Sequence, residues 1–447
     1  MKKFWNKYIS SLFVTNRWHF AIVVCIVLFV VRFFLPWLGI IPYATLLALL
    51  VLALADYFLL YRFNGIFATR SHAERLSNGD DNPVQLHFEN RYPFNIHLDI
   101  IDEIPHQFQK RDVHFELSLK DGDTKMLTYQ LRPVKRGAYE FGYIKVYAST
   151  VLHLFRRRYT LGQSANVPVY PSYIQMRKYQ LMAISNRLSE IGVKKVRSLG
   201  HTMEFEQIKE YVIGDDYRTV NWKATARKGQ LMVNNYTDEK SQQVYCVIDK
   251  SRVMKMPFEG LSLLDYSINA SLVLSNVALM KQDKAGIISF AEKISSFLPA
   301  QKKLSQMQAV LEVLYNQKTR YQESDFEKLY ILLKRKVTQR SLIVLFTNFE
   351  SLSAMRRQLP YLRKIAADHL LLTVFFENTE LDALLNESAN NLKQVYTKSV
   401  AEKFASEKQL IVAELQQHGI MTILTPPKNL TVNTLNKYLE IKARQLL

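Results

Sequence analysis

The chain is 447 residues long, which is enough for two or three domains. A hydrophobic content of 48% and an aromatic content of 12% supply packed cores and exclude a wholly disordered protein. The formal net charge of +19 suits nucleic acid and an anionic membrane surface equally well, so the distribution of apolar residues has to decide between them.

Two apolar segments follow one another near the N-terminus, residues 18–35 and 37–60. Each is long enough to cross a hydrocarbon layer of about 30 Å, the first only just. A cleaved signal peptide is the alternative for the first segment, but the second span and the lack of a small-residue cleavage site before it favour a helical hairpin over residues 1–66. Asp56, near the end of the second span, then needs a partner or an interfacial position.

Cations flank the two spans. They precede the first at Lys2, Lys3, Lys7 and Arg17 and follow the second at Arg62, Arg70 and Arg75. Because cytoplasmic flanks carry the excess of Lys and Arg, we expect two spans in the inner membrane with both termini and the soluble domains in the cytoplasm. Cys25 and Cys246 lie in separate apolar runs and predict no disulfide framework, which agrees with that location.

From Pro83 to about Pro171, within a domain that we place at residues 67–172, the sequence shows the period of two that is typical of strands. Six short runs carry it, from VQLHFEN at residues 84–90 to VLHLFRRRYTL at residues 151–161. They predict a small antiparallel β-sandwich. Four histidines of this region fall on separate strands and loops, and no pair of them shows metal-ligand spacing: His87, His97, His106 and His114.

Residues 241–447 change to apolar strands without alternation, separated by helices. This pattern predicts a doubly wound α/β domain, with a mostly parallel sheet covered on both faces. A helix over residues 353–367 is expected to be interrupted at Pro360. Neither a G-x-G-x-x-G nor a G-x-x-x-x-G-K-[ST] motif occurs, so a dinucleotide or P-loop site has no support.

Ligands of such a sheet bind beyond the carboxyl ends of its strands. Three strand ends or loops therefore merit attention: residues 247–254, the loop QESDF at residues 322–326, and residues 345–351.

A segment rich in charged and aromatic residues, 211–236, lies within the stretch 173–240 that connects the two soluble domains. Its distinctive residues are Gly214, Asp215, Asp216, Arg218, Trp222, Lys223, Arg227 and Lys228. Catalysis, nucleic-acid binding, and architecture or docking are the three interpretations of it.

The first two interpretations meet objections. Asp215 and Asp216 would be the catalytic pair, but adjacent residues on an extended strand point in opposite directions, and no histidine, cysteine or Ser-Lys constellation accompanies them. The cations and Trp222 would form a phosphate-and-stacking patch, but the two acids would repel the same nucleic-acid backbone.

The third interpretation treats the segment as a rigid turn followed by a short helix. Asp215 or Asp216 would accept hydrogen bonds from backbone N–H groups or pair with Arg218. Trp222 would pack against the sheet, and Gly229 would end the helix.

Residues 230–236 are then expected to form an edge strand leading into residues 242–249. The segment would join the sandwich to the α/β domain or present a docking face, and this is the interpretation we favour.

Residues 210–239 and 244–254 closely resemble the signature of the bacterial family catalogued as domain of unknown function fifty-eight. The paired N-terminal spans, the strand pair RPVKRGAYEFG at residues 132–142 and the closing segment from residue 418 also resemble members of that family. The resemblance covers nearly the whole chain. It implies a von Willebrand factor A-like domain in the C-terminal half.

Domains of that type often carry a metal-ion-dependent adhesion site, in which hydroxyls and carboxylates surround Mg²⁺ in octahedral array. Carried onto this sequence, the resemblance implies a site made of Asp249, Ser251, Ser324 and Asn348. The site is eroded, because Val253 replaces the second serine and an asparagine replaces the later aspartate. We expect weak Mg²⁺ binding or none. The alternative is that Asp249 merely caps the loop that follows it.

The functional hypothesis is a non-enzymatic, membrane-anchored interaction or adaptor protein. The resemblance implies that it works with a MoxR-type AAA+ ATPase, in complex assembly or envelope homeostasis. One alternative is a metal-dependent hydrolase at Asp249 that uses Ser251 or Asp216. A second is a basic nucleic-acid-binding protein at the membrane.

Overall fold

The computed structural model describes residues 10–110, 113–184, 203–213, 215–238, 241–303, 305–319, 321–378 and 391–446. The chain forms two compact units, Met1–Tyr170 and Pro171–Leu447.

The described residues form ten α-helices: α1 Asn16–Phe34, α2 Ile41–Arg62, α3 Tyr173–Ile184, α4 Trp222–Lys228, α5 Leu263–Met280, α6 Gln306–Tyr315, α7 Phe326–Lys336, α8 Leu352–Asp368, α9 Leu392–Gln417 and α10 Leu430–Ala443. They also form 21 β-strands: β1 Leu12–Val14, β2 Ile66–Ser71, β3 Leu76–Ser77, β4 Asn82–Asn90, β5 Ile96–Asp102, β6 His114–Leu119, β7 Thr124–Leu131, β8 Gly137–Phe141, β9 Ile144–Ser149, β10 Phe155–Leu161, β11 Ala165–Tyr170, β12 Met203–Glu210, β13 Met232–Asp238, β14 Gln243–Asp249, β15 Pro257–Phe258, β16 Leu261–Ser262, β17 Lys284–Phe290, β18 Ile294–Gln301, β19 Leu342–Phe346, β20 Leu370–Phe376 and β21 Met421–Thr425.

Three helices of the described chain, α1, α2 and α5, are long and apolar enough to cross a membrane. In α5, 83% of the most apolar stretch of the helix is buried within the fold, whereas the corresponding share is 6% in α1 and 17% in α2. Core packing therefore accounts for the apolar character of α5, whereas α1 and α2 leave their apolar surfaces exposed.

Three sheets complete the first unit: β1-β10-β9-β5-β6, β2-β4-β7 and β3-β11-β8. The first two are antiparallel throughout and share an apolar cluster that includes Phe88 of β4 and Ile100 of β5. Strand β4 also contributes Val84 to a second cluster, with Tyr139 of β8 and Val169 of β11.

The predicted antiparallel sandwich needs two corrections. Strands β3 and β11 pair in parallel, with Leu76 opposite Val169. The second concerns the run YEFGYIKVYAS, residues 139–149, whose pattern predicts one strand. It forms parts of two strands, β8 and β9, which are separated at Gly142. The Gly142 N–H donates to the Glu103 carbonyl over 2.8 Å, and a Cβ at Gly142 would lie only 2.7 Å from that of Glu103. The chain bends there because only glycine allows so close an approach.

A six-stranded sheet in the order β18-β17-β14-β19-β20-β21 forms the core of the second unit. All its pairs are parallel except β17 with β18. Cys246 of β14 shares an apolar cluster with α5, α6 and α10, whereas its neighbour Val247 shares one with α7, α8 and α9. Helices thus cover both faces. The strand order reverses between β14 and β19, the place where open α/β sheets bind ligands.

The helix expected to be interrupted at Pro360 is continuous, since α8 runs for 17 residues through that proline. Met355, Leu362 and Ile365 of α8 are buried in the core. Their packing offsets the hydrogen bond that proline removes.

Two parts of the predicted connecting segment also differ from expectation. Strand β13 pairs with β12 in a separate two-stranded ribbon and is not an edge strand of the large sheet. Its sequence, MVNNYTD, lacks the continuous apolar run that a strand of a two-face-covered sheet requires. Helix α3, in contrast, contributes Met176 to the α/β core, and the Ser172 N–H donates to Asn269 of α5 over 3.0 Å.

Candidate functional site

A small polar recess of about 70 Å³ lies where the strand order of the large sheet reverses. Asp249 ends β14, Thr347 follows β19, and Ser324 precedes α7. Each side chain comes from the carboxyl end of a strand or from the adjoining loop, as expected for a binding site of an open α/β sheet.

Asp249 is the acceptor at the centre of the recess. The Ser251 N–H donates to Oδ1 over 2.8 Å, and the Thr347 hydroxyl donates to Oδ2 over 2.7 Å. The Ser324 hydroxyl also donates to Oδ1. The carboxylate, which is 1% exposed, therefore has its hydrogen bonds supplied from within the protein.

Burial raises the pKa of Asp249 above its usual value, and the hydrogen bonds from Ser324, Ser251 and Thr347 oppose that rise. Burial acts in this direction because it disfavours the charged form of a carboxyl group. The net rise in the pKa shows that the effect of burial outweighs that of the three donors.

Asn348 faces a different partner from the one the adhesion-site pattern implies. The Lys408 ammonium of α9 donates to its Oδ1 over 2.5 Å and to the Phe349 carbonyl over 2.5 Å. Burial lowers the pKa of Lys408 to about 8. Sequence reasoning missed Lys408, because it lies 60 residues beyond Asn348 on a helix whose contacts the sequence does not show.

These residues do not fit a resident Mg²⁺. The ion prefers six oxygen ligands in octahedral array, several of them water or carboxylate. Among the positions of the implied site only Asp249 carries a carboxylate, Val253 offers no oxygen, and the amide oxygen of Asn348 is held by the ammonium of Lys408. Glu323 and Glu350 also line the recess, but both are exposed. A protonated lysine at this position repels a second cation. The expectation of weak binding or none therefore has a physical reason in Lys408.

We expect Lys408 to react with an amine acylating reagent with a midpoint near pH 8, because only the neutral amine is nucleophilic. Mass spectrometry of peptides from the acylated full-length protein gives the rate at each pH. The exposed Lys336 is the reference lysine, and its acylation shows that the reagent is active at each pH. Replacing Asn348 with alanine removes one acceptor of the ammonium and should lower the midpoint further. A rate at Lys408 that climbs without a midpoint up to pH 10 would contradict the assignment.

An apolar cavity of about 510 Å³ adjoins the polar recess. It lies at the carboxyl ends of β20 and β21, and both Lys408 and Asn348 belong to its lining. Its apolar lining is formed by Met256, Pro257, Phe258, Leu263, Phe376, Phe404, Ala405, Leu424 and Pro427.

In the segment of residues 211–236, the two acids hold turns. Asp215 accepts from the Lys209 ammonium over 2.9 Å and from the Val212 N–H over 3.0 Å. The Lys209 contact is the main reason that the pKa of Asp215 is lowered. Asp216 accepts from the Arg218 N–H over 2.9 Å. The acids therefore stabilise the loop locally, while Gly214 lies outside the described residues.

Helix α4 follows directly and has a cap at each end. Asn221 accepts from the Ala224 N–H over 3.0 Å, and Gly229 follows the helix at φ +71°. The Thr225 hydroxyl accepts from the Met232 N–H of β13 over 3.0 Å, which ties the helix to the ribbon.

The expectation that Trp222 packs against the sheet is wrong, because its side chain is 73% exposed. It lies on the first turn of α4, and the helix is tied to the ribbon one turn further on, at Thr225. We call the exposed side chains of this segment the signature surface: Val212, Ile213, Tyr217, Arg218, Trp222, Lys223, Arg227 and Lys228.

A separate group of ligand-type side chains lies on the first unit. The ligand atoms of Asp99, His114 and Glu116 are all within 4.8 Å of one another. The sequence showed no such spacing, because the pairing of β5 with β6 is what places Asp99 opposite Glu116. Arg156 already pairs with Asp99 over 2.6 Å, so we assign no metal to this group.

Together, the fold and the recess define an α/β domain with a polar strand-end site, in a chain that also carries two exposed apolar helices. A family model described as "Protein of unknown function DUF58" matches residues 207–387, which include the signature surface and the polar recess. "Uncharacterized protein YeaD" of Bacillus subtilis is 27% identical over 126 residues, or 28% of this chain. The match spans 31% of that relative's length.

Two solved structures give fainter likenesses. The conserved hypothetical protein BatB from Bacteroides thetaiotaomicron is 13% identical, with a TM-score of 0.28, over 45% of this chain and 98% of its own. The CARDB domain of PF1109 from Pyrococcus furiosus is 11% identical, with a TM-score of 0.16, over 24% of this chain and 94% of its own.

Proposed function

We propose that this protein is a membrane-anchored adaptor that binds protein partners and performs no chemistry of its own. Helices α1 and α2 would cross the inner membrane as two spans, since they expose apolar surfaces of sufficient length. The cations that flank them, including Arg17 and Arg62, favour a cytoplasmic location for both termini and the soluble units.

The observation that carries the proposal is the exposure of the signature surface. Ile213 is 97% exposed and Trp222 is 73% exposed, in a loop and helix that hydrogen bonds hold in place. Large apolar side chains that are exposed on a hydrogen-bonded scaffold suit a protein-interaction site, and tryptophan is prominent among the residues that dominate binding energy.

Charge indicates the kind of partner. Beside Trp222, a shallow concavity of about 480 Å³ has Ile208 and Met232 in its lining. Lys223, Arg227 and Lys228 line it as well. A partner with an acidic surface around an apolar side chain would complement it.

A von Willebrand factor A-like class for the second unit is consistent with the strand order and with the polar site at the end of β14. The sequence contains no P-loop motif. We therefore propose that a MoxR-type AAA+ ATPase supplies the energy, in complex assembly or envelope homeostasis, with the adaptor bringing it to the membrane.

Affinity capture of the full-length protein from its own membranes, in mild detergent with ATP and Mg²⁺, tests the proposal. The native protein should recover an AAA+ ATPase. A variant with Ile213→Ser and Trp222→Ala should lose it, because the apolar contacts of the signature surface are removed.

A matched control changes equally exposed residues elsewhere on the second unit. Leu392 is 88% exposed and Tyr396 is 73% exposed on α9, so the Leu392→Ser, Tyr396→Ala variant should retain the ATPase. Recovery of no ATPase by the native protein would remove the adaptor hypothesis. Equal recovery by all three proteins would place the docking site elsewhere.

The same cations and exposed Trp222 also favour a second candidate, binding of single-stranded nucleic acid by stacking and phosphate contacts. Steeply salt-dependent binding of oligonucleotides to the native protein would support it. The hydrolase alternative has weaker support, because the residues that line the recess in the described chain include no histidine to act as a general base.

A further inference from the structure

The loop between β9 and β10 is anchored to a carboxylate in the apolar helix α2. Asp56 is fully buried and accepts from the Leu154 N–H over 3.1 Å, the Phe155 N–H over 2.9 Å and the Thr150 hydroxyl. A carboxylate in an apolar span is costly unless it is hydrogen-bonded, and here a loop of the β-sheets supplies the donors.

The same loop also contacts the start of α1. The Thr15 N–H donates to the Leu154 carbonyl over 3.2 Å, and the Thr15 hydroxyl donates to the His153 carbonyl over 2.5 Å. The loop therefore lies between the first turn of α1 and the level of Asp56 in α2.

Helix lengths fix the depth of this level. Helix α1 has 19 residues and is about 28 Å long, so it needs almost the whole of a hydrocarbon layer of about 30 Å. Its first residue then lies at the boundary of that layer. In α2, the stretch from Asp56 to Arg62 extends about 9 Å beyond Asp56 and ends in an exposed arginine. Both helices thus place the loop at the membrane boundary.

Apolar side chains of this region face outward at the same level. Val151 is 69% exposed and Leu152 is 38% exposed at the tip of the loop, next to Thr150, which holds Asp56. Phe13 and Val14 of β1, immediately before α1, are 36% and 46% exposed. In water these side chains cost free energy, whereas at the headgroup–acyl boundary they would be favourably placed.

Arg157 of β10 fixes the sheet to the helix end. Its guanidinium donates to the carbonyls of Leu60 and Phe63 over 2.6 and 2.7 Å, and to Asn64 over 3.1 Å. The last carbonyls of a helix lack partners within it, so an arginine stabilises them. With Asp56 and Arg157 both engaged, the loop cannot move away from the helices without breaking buried hydrogen bonds.

From this geometry we infer that Val151 and Leu152, together with Phe13 and Val14, form a lipid-contacting surface that seats the β-sheets on the bilayer. Arg17 and Arg62, both exposed, lie beside it and would meet anionic headgroups. The inference rests on the proposed insertion of α1 and α2, and it adds a third attachment formed by the β-sheets.

Depth-dependent fluorescence quenching tests it on the full-length protein in bilayers of phosphatidylcholine and phosphatidylglycerol. A polarity-sensitive thiol dye is placed at Val151→Cys, Leu47→Cys or Met126→Cys, and quencher lipids carry their label near the headgroup or near the chain end. Both native cysteines are buried, and burial raises the pKa of the Cys246 thiol to about 12, so the native chain serves as the labelling blank.

We expect the dye at Val151 to be quenched by the shallow label and the dye at Leu47, 65% exposed on α2, by the deep one. The dye at Met126, 57% exposed on β7, should be quenched by neither. Quenching at Leu47 with none at Val151 would overturn the lipid-contacting surface and leave the membrane anchor intact. The absence of quenching at both positions would overturn the anchor and this inference together.

Discussion

Replacing Asp249 with alanine is expected to cost about 3 kcal/mol of opening free energy, because two hydroxyls and one N–H lose a buried acceptor. The effect should appear as roughly hundredfold faster hydrogen exchange in peptides covering β14 and β19. Replacing Asp249 with asparagine should cost much less, since an amide retains one oxygen and the Ser324 and Thr347 hydroxyls can reorient to accept its N–H groups.

The matched control is Glu402→Ala, which removes an exposed carboxylate from α9 and should leave the exchange unchanged. Mg²⁺ discriminates between the two accounts of the site. If Mg²⁺ slows hydrogen exchange in β14 of the native protein but not in the Asp249→Asn variant, the recess binds the ion.

The sign of the pH dependence follows from the raised pKa of Asp249. The pKa of Asp249 is higher in the folded state than in the unfolded state, where it is about 3.8. The contribution of Asp249 to stability is therefore fully present below pH 3.8 and is lost as pH rises through the folded-state pKa. The native protein should therefore lose stability relative to Asp249→Asn as pH rises through that window. A difference between them that does not change with pH would contradict the burial of a titrating carboxyl group.

Replacing Asp56 with leucine is the second change with a large expected effect. Leucine keeps α2 apolar, so the helix should still insert, but Thr150, Leu154 and Phe155 lose their common acceptor. Each buried donor left unpaired costs about 1–3 kcal/mol. The rate of hydrogen exchange in peptides that cover residues 149–156 should rise by two orders of magnitude or more, because each tenfold change in rate corresponds to about 1.4 kcal/mol of opening free energy.

Asp81→Ala, which removes an exposed carboxylate from the same unit, is the control and should leave that exchange unchanged. Thr150→Ala removes only one of the three donors and should have an intermediate effect. Unchanged exchange in Asp56→Leu would show that the loop is held by something other than this carboxylate.

Most of the element pattern was accessible from the sequence, because burial imposes a period on it. The continuous apolar run of β14 and the alternation of β4 both mark where side chains are covered. The sequence also indicated that Asp56 needed a partner, but it could not say which. That partner is a loop almost 100 residues away, and pairing across such distances leaves no local pattern.

The candidate site was predicted in part. The strand-end position of Asp249 could be foreseen, and the contact from Ser324 agrees with the mapping of the resemblance. Lys408 could not be foreseen, because a lysine on a polar helix is ordinarily solvated, and only its packing buries it. Trp222 led to the opposite error: a large aromatic side chain is ordinarily expected to be buried, but this one is exposed.

Docking of the partner on the signature surface can be measured by a binding titration, using the full-length protein in lipid nanodiscs and the purified AAA+ ATPase recovered by capture. We expect saturable binding by the native protein and by the Leu392→Ser, Tyr396→Ala control. In the Ile213→Ser, Trp222→Ala variant we expect binding to be weakened by about tenfold or more. Equal affinity of all three proteins, or no binding by the native one, would contradict the claim that the signature surface docks the partner.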